Sequence, residues 1–281
     1  MENKSVGELL KDINDEDHKV AEAVRKALPQ IEALVTEAEK RMKKGGRVFY
    51  TGAGTSGRLG VLDAAELVPT YGIKPERAIG LIAGGQGAMY KAVEGAEDDT
   101  DLGAKDLKKL NLNEKDTVLG IAASGRTPYV IGGLEYANKV GALTISIACV
   151  KDSEIGKHAN IAIEAVVGPE IVTGSTRMKA GTAQKMILNM ISTGVMIRQG
   201  KVFENVMIDV LPTNSKLVDR AGRIISAVTA ATQEQALEAL KKADNDVPLA
   251  ITMIKTKTDK AAAQKLLEQY NGNVSEVIKN N

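Results

Sequence analysis

The sequence predicts an α/β protein, a doubly wound and mainly parallel sheet followed by a small all-helical C-terminal domain. Two observations carry this. Short apolar runs at 48–50, 79–82, 118–121, 143–147 and 161–163 are separated by helical patterns or longer connections, as in a sheet covered on both faces. From Leu217 onward the runs stop and short amphipathic helices take over. The implied domains are 1–215, with the sheet and a helical lead-in, and 216–281.

The lead-in, residues 6–44, reads as helix because Val20, Ala23, Val24, Leu28 and Ile31 recur at three- and four-residue spacing. The first apolar run opens into Gly52-Ala53-Gly54-Thr55-Ser56-Gly57-Arg58, and the third into Ala122-Ala123-Ser124-Gly125-Arg126-Thr127. Both loops lead into helical segments, and ligands of parallel sheets sit at the carboxyl ends of the strands. Small residues let backbone N–H groups approach an anion, and the helix N-terminus adds partial positive charge. Gly54, Thr55, Ser56, Arg58, Ser124, Gly125, Arg126 and Thr127 are therefore candidate phosphate ligands. No Gly-Lys-Ser/Thr follows the first loop and its glycine spacing is not that of a dinucleotide fingerprint, so a nucleotide is disfavoured. A phosphorylated small molecule is the expected ligand.

Two carboxylates lie between the loops. Glu66 is flanked by Ala65, Leu67 and Val68, an apolar setting that would suit a general acid; Glu97 follows Gly95 in the acidic stretch 94–99. Carboxyl groups in unlike surroundings can divide acid and base roles. Farther on, the stretch 173–182 joins hydroxyls with Arg177 and Lys179 at the start of a long helix whose apolar face includes Ile187, Met190, Ile191 and Val195. Cations in a first helical turn oppose the helix dipole, and a bound anion would account for them. In the tail, Leu217, Ala221, Ile224, Ile225 and Val228 form one stripe, and Thr232 with Gln235 resembles a capping box. Ala236, Leu240, Val247, Ala250 and Ile251 recur as Ala263, Leu267, Val274, Val277 and Ile278 at a constant offset, which suggests two similar helical pairs.

Composition narrows the function classes. The 281 residues carry a net charge of +1 with both signs interspersed, which leaves no electrostatic footprint for nucleic acid or an anionic membrane. Aromatic residues make up 3% and Trp is absent, against a base- or sugar-stacking surface. Cys149 is alone, the start Met1-Glu2-Asn3-Lys4 lacks a secretory apolar stretch, and no segment reaches the roughly 20 apolar residues of a membrane span. A cytoplasmic protein is expected. His18 and His158 have no neighbouring ligand set, so no metal site is expected.

The residues 52–60, 94–98, 120–129 and 175–185 together resemble the N-acetylmuramic acid 6-phosphate etherase family, over nearly the whole chain. That resemblance implies the sugar isomerase (SIS) fold, a homodimer, and no metal, nicotinamide or other cofactor. It also implies removal of D-lactate from carbon 3 of the sugar and addition of water, giving N-acetylglucosamine 6-phosphate in the recycling of cell-wall peptidoglycan. By motif position, Glu66 would protonate the departing lactate, Glu97 would act on carbon 2, and Thr55, Ser56, Ser124, Gly125, Arg126 and Lys179 would hold phosphate and sugar. Two departures stand out: Leu67-Val68-Pro69 replaces the family's usual Cys-Pro-Pro, and most of the family's segment ahead of residues 13–17 is missing. The same fold also allows aldose–ketose isomerisation, or a non-catalytic sugar-phosphate-sensing regulator.

Overall fold

The computed structural model describes residues 1–210, 212 and 214–281; Leu211 and Thr213, in the expected first domain, lie outside the described residues. The chain forms two compact units, one of Met1–Ala65 with Pro75–Thr193, the other of Glu66–Lys74 with Gly194–Asn281.

The first unit is built on five parallel strands, β1 (Val48–Gly52), β2 (Ala78–Ile82), β3 (Thr117–Ile121), β4 (Leu143–Ala148) and β5 (Ile161–Glu164), in the order β2-β1-β3-β4-β5. Each covers its predicted apolar run to within two residues at either end. Helices α1 (Val6–Lys26) and α2 (Leu28–Lys43) precede the sheet. The helical lead-in expected over 6–44 is thus present, divided into two helices. Pro29 lies at the start of α2 and has no amide to continue α1, so the chain turns at Ala27. A capping box of Ser5 and Glu8 opens α1.

Successive side chains of a strand point to opposite faces, and β1 shows what covers each face. Phe49 joins a buried cluster with Leu107 of α4 (Thr100–Lys109) and Tyr129, Val130 and Leu134 of α5 (Pro128–Val140). Tyr50 points the other way, toward Gly60 of α3 (Gly54–Tyr71), where an added Cβ would lie 2.8 Å from the Tyr50 Cβ. The sheet is therefore covered on both faces, as the fully buried strands β1, β3 and β4 require. On the Tyr50 face, Asp63 accepts hydrogen bonds from Asn189 Nδ2 (3.0 Å) and Ser192 Oγ (3.1 Å) of the long helix α6 (Lys179–Arg198). Burial pushes the Asp63 carboxyl above its ordinary range, against hydrogen bonds from Tyr50, Ser192 and Asn189 that pull it down.

The second unit holds a two-residue hairpin, β6 (Val202–Phe203) with β7 (Val206–Met207), and helices α7 (Ser215–Thr229), α8 (Gln233–Lys242), α9 (Val247–Thr256), α10 (Lys260–Gln269) and α11 (Val274–Lys279). The hairpin is not expected from sequence, since two residues a side show no periodicity. The helical echo is realised in detail: α8–α9 and α10–α11 are two pairs whose N-caps, Thr232 and Asp246, then Asp259 and Asn273, occupy equivalent places. Even the left-handed residues between the helices repeat, Asp244 and Asn245 in one pair and Asn271 and Gly272 in the other. Ala236, Leu240, Val247 and Ala250 share one core with Ala263, Leu267, Val274 and Val277. The expected box of Thr232 and Gln235 is formed. Among the described residues no helix is long and apolar enough to cross a membrane.

Leu240 and Leu267 are equivalent knobs in that shared core, 1% and 6% exposed. Leu240→Ala and Leu267→Ala are each expected to lower unfolding stability by about 2–5 kcal/mol, measured by urea denaturation. A cost under about 1 kcal/mol at Leu267 alone would remove the second pair from the core.

Candidate active site

In this strand order β1 and β3 are neighbours, and the chain leaves β1 for β2 on one side and enters β3 on the other. Such a reversal is where open α/β sheets bind ligands. Gly52 and Ile121, the last residues of β1 and β3, are paired in register. The two loops singled out in the sequence therefore leave adjacent strands at the same edge.

The first loop is a single residue, Ala53, between β1 and α3. Gly57 N–H is the first α3 amide to reach a backbone carbonyl, that of Ala53 at 3.1 Å. The amides of Gly54, Thr55 and Ser56 ahead of it are the orphan donors of a helix start. A Cβ at Gly57 would lie 2.6 Å from the Gly52 oxygen and 2.7 Å from Ile82 Cγ1, so only glycine lets α3 begin this close to the strand. Gly54 is exposed, Thr55 half-buried and Ser56 buried, its Oγ donating to Gln184 Oε1 at 3.0 Å.

Arg58 is turned to one side and donates from Nε to Met89 O (2.9 Å) and from Nη2 to Ala88 O (2.7 Å). Those carbonyls belong to a 3-10 turn, Gln86–Met89, after β2. The guanidinium thereby ties that turn to α3, and together with Gly54, Glu94 and Glu97 it lines a pocket of about 280 Å3. Glu97 is exposed in a 3-10 turn, Ala96–Asp98, entered through Gly95 at φ 74°, a left-handed conformation that glycine adopts without strain. The structure thus brings the first loop and one of the two candidate carboxylates together.

The second loop does not line that pocket. Ser124 and Arg126 are exposed, Thr127 is the N-cap of α5, and Gly125 is buried against Ser153. Glu164 at the end of β5 clamps that neighbour, accepting from the Ser153 amide and hydroxyl (2.8 Å each) and the Asp152 amide (2.9 Å). The hydrogen bonds from Ser153 and Asp152 outweigh burial and hold its carboxyl below the ordinary range. Glu66 belongs to the second unit. The apolar setting expected for it is corrected, because Glu66 and Ala65 are exposed while only Leu67 is buried. Residues adjacent in a helix point about 100° apart, so sequence neighbours do not share an environment.

Lys179 is 2% exposed and ion-paired with Glu16 of α1, itself 28% exposed. The two leading amides of α6, those of Lys179 and Ala180, are taken by the two carboxylate oxygens of Glu170, each at 3.0 Å. The anion that the cationic start of α6 called for is present within the chain, as two glutamates that no local sequence signal marks. Cys149, just after β4, is buried and its thiol is pushed up to about 12 by burial and by Glu170.

Residues 29–138 match the model of the glucokinase regulatory protein N-terminal SIS domain, and residues 90–193 match the SIS domain model. An N-acetylmuramic acid 6-phosphate etherase of Lactobacillus acidophilus is 81% identical, covering 99% of this chain and 93% of the relative. This chain belongs to the N-acetylmuramic acid 6-phosphate etherase family. The etherase of Lactobacillus gasseri is 69% identical over 99% of the chain and 94% of its own length. A phosphoheptose isomerase from Francisella tularensis shares the fold at 18% identity and a TM-score of 0.51, over 67% of this chain and 98% of that one.

The Glu16–Lys179 pair makes an acid-stability prediction. Hydrogen bonds from Lys179 and then Lys19 lower the Glu16 carboxyl from its ordinary 4.5 to about 2. A lowered folded-state value means that the stabilisation is full above pH 4.5 and is lost as pH falls through about 2. In urea unfolding from pH 6 to pH 2, the stability gap between wild type and Glu16→Gln is expected to close over that window. A gap independent of pH would show that the pair does not contribute through charge.

Proposed function

We propose that this chain is an N-acetylmuramic acid 6-phosphate etherase that converts its substrate to N-acetylglucosamine 6-phosphate and D-lactate. The observation that carries the reading is the pocket in which the unpaired amide end of α3 meets a carboxylate, Gly54 with Glu97, in a chain of this family. The first offers a place for phosphate and the second a base.

With the sugar ring open, the aldehyde acidifies the proton on carbon 2. Glu97 takes that proton, the electron pair forms a double bond between carbons 2 and 3, and the bond from carbon 3 to the lactate oxygen breaks. Glu66, as a carboxylic acid, gives the departing oxygen its proton. Water then adds at carbon 3 and carbon 2 regains a proton, so no redox partner is needed. The exposure of Glu66 is compatible with proton exchange with solvent between turnovers. Phosphate and sugar would be held by Gly54, Thr55, Ser56, Arg58, Ser124, Gly125, Arg126, Thr127 and Lys179. We further propose a cytoplasmic homodimer acting in the recycling of cell-wall peptidoglycan, a reading supported by the family resemblance.

Incubation with N-acetylmuramic acid 6-phosphate in heavy-oxygen water tests the reaction. Lactate should be released and the label should appear at carbon 3 of the sugar; label in the lactate would refute elimination followed by addition. A protein that binds the sugar phosphate but releases no lactate would instead be a regulator, the alternative favoured by the glucokinase regulatory protein match. Glu66→Gln and Glu97→Gln should each keep sugar-phosphate binding and lose turnover by about 10²–10⁴-fold. Normal turnover in either variant removes that residue from the mechanism.

A further inference from the structure

The hydroxyl of Ser56 has one proton, and the structure commits it to Gln184, whose Oε1 accepts it at 3.0 Å. An anion at the head of α3 would meet the lone pairs of Ser56 rather than a donor. The other end of the same amide is anomalous. Gln184 is 0% exposed, and its Nε2, with two N–H groups, has no hydrogen-bond partner. Buried side-chain donors are nearly always paired, and each exception calls for a cause.

One movement accounts for both facts. Rotating the Gln184 amide by half a turn about its last side-chain bond exchanges its ends. Nε2 then donates to Ser56 Oγ, the Ser56 proton is released toward the anion, and the unpaired end becomes a carbonyl oxygen instead of two N–H groups. Glu170 holds the leading amides of α6, and at Gly181 an added Cβ would already lie 3.5 Å from Thr55 Cγ2, so the first turns of α3 and α6 are packed together.

We propose that Gln184 is a positioning residue of the phosphate cradle: its amide sets the direction of the Ser56 O–H bond and turns over when the substrate's phosphate arrives. The proposal rests on the sugar-phosphate reading of the first loop. It adds a residue that touches no substrate atom and acts only through Ser56.

The test is a double-mutant cycle on the full chain, with each variant first shown to be folded by circular dichroism. Affinity for inorganic phosphate and for N-acetylglucosamine 6-phosphate is measured by calorimetry, and KM and kcat with N-acetylmuramic acid 6-phosphate are measured alongside. Ser56→Ala and Gln184→Met should each weaken binding about fivefold to tenfold and raise KM in parallel, with kcat changed less than about twofold. The double variant should bind no worse than the weaker single one, because the two residues act as one unit. Gln184→Glu can only accept from Ser56, so it should bind phosphate no better than Gln184→Met, and it keeps the test alive if the methionine variant does not fold. Multiplying effects in the double variant, wild-type affinity in Gln184→Glu, or a loss of kcat at unchanged affinity would each overturn the proposal. If the wild type binds N-acetylglucosamine 6-phosphate yet releases no lactate, the etherase reading fails while the binding cycle still decides the role of Gln184.

Discussion

The carboxyl edge of the sheet depends on how near α3 can come to β1. With one residue between strand and helix, the helix must start almost in contact with the strand's last carbonyl, and the 2.6 Å from a would-be Gly57 Cβ to the Gly52 oxygen leaves no room for a side chain. Gly60, one turn later, continues the approach over Tyr50. Because the helix sits this close, its unpaired amides open directly beside the end of β3, and Ser56 is carried inward to meet α6. A larger residue at either glycine would move the helix start, and with it the donors and the Arg58 contacts that shape the adjoining pocket.

The start of α6 shows how a chain can satisfy a local misfit from far away. Arg177 and Lys179 oppose the helix dipole, yet Glu170 covers the leading amides and Glu16 neutralises the buried ammonium. Glu16 is contributed by α1, more than 160 residues earlier in the chain. A cation so enclosed is held by a defined partner, and any anion approaching Lys179 must compete with Glu16 for it.

Much of the architecture was legible because it follows from period and punctuation. The five strands were short apolar runs, the two loops followed the first and third of them, and the Thr232 box and the helical echo followed from fixed spacings. What was not legible depends on long-range contacts or on direction. Pro29 divides the lead-in helix within an unbroken apolar stripe. The exposure of Glu66 depends on which way one helical position faces, and its apolar flanks in the sequence said nothing about that. Gln184 lies inside the stretch that carried the family resemblance, but only the fold places it against Ser56, 128 residues away. Glu164 and Glu170 are likewise anonymous until the Ser153 turn and the start of α6 that they hold are seen.

The two similar helical pairs of the second unit also bear on how that part of the chain acquires its shape. Each helix of α8 to α11 begins within a few residues of the end of the one before, and each has its own cap. Joining neighbours across such short connections costs little loop-closure entropy. Bringing five parallel strands together requires long crossovers and is intrinsically slower. The helical pairs can thus gather their contacts on a faster timescale than the sheet that precedes them in the chain.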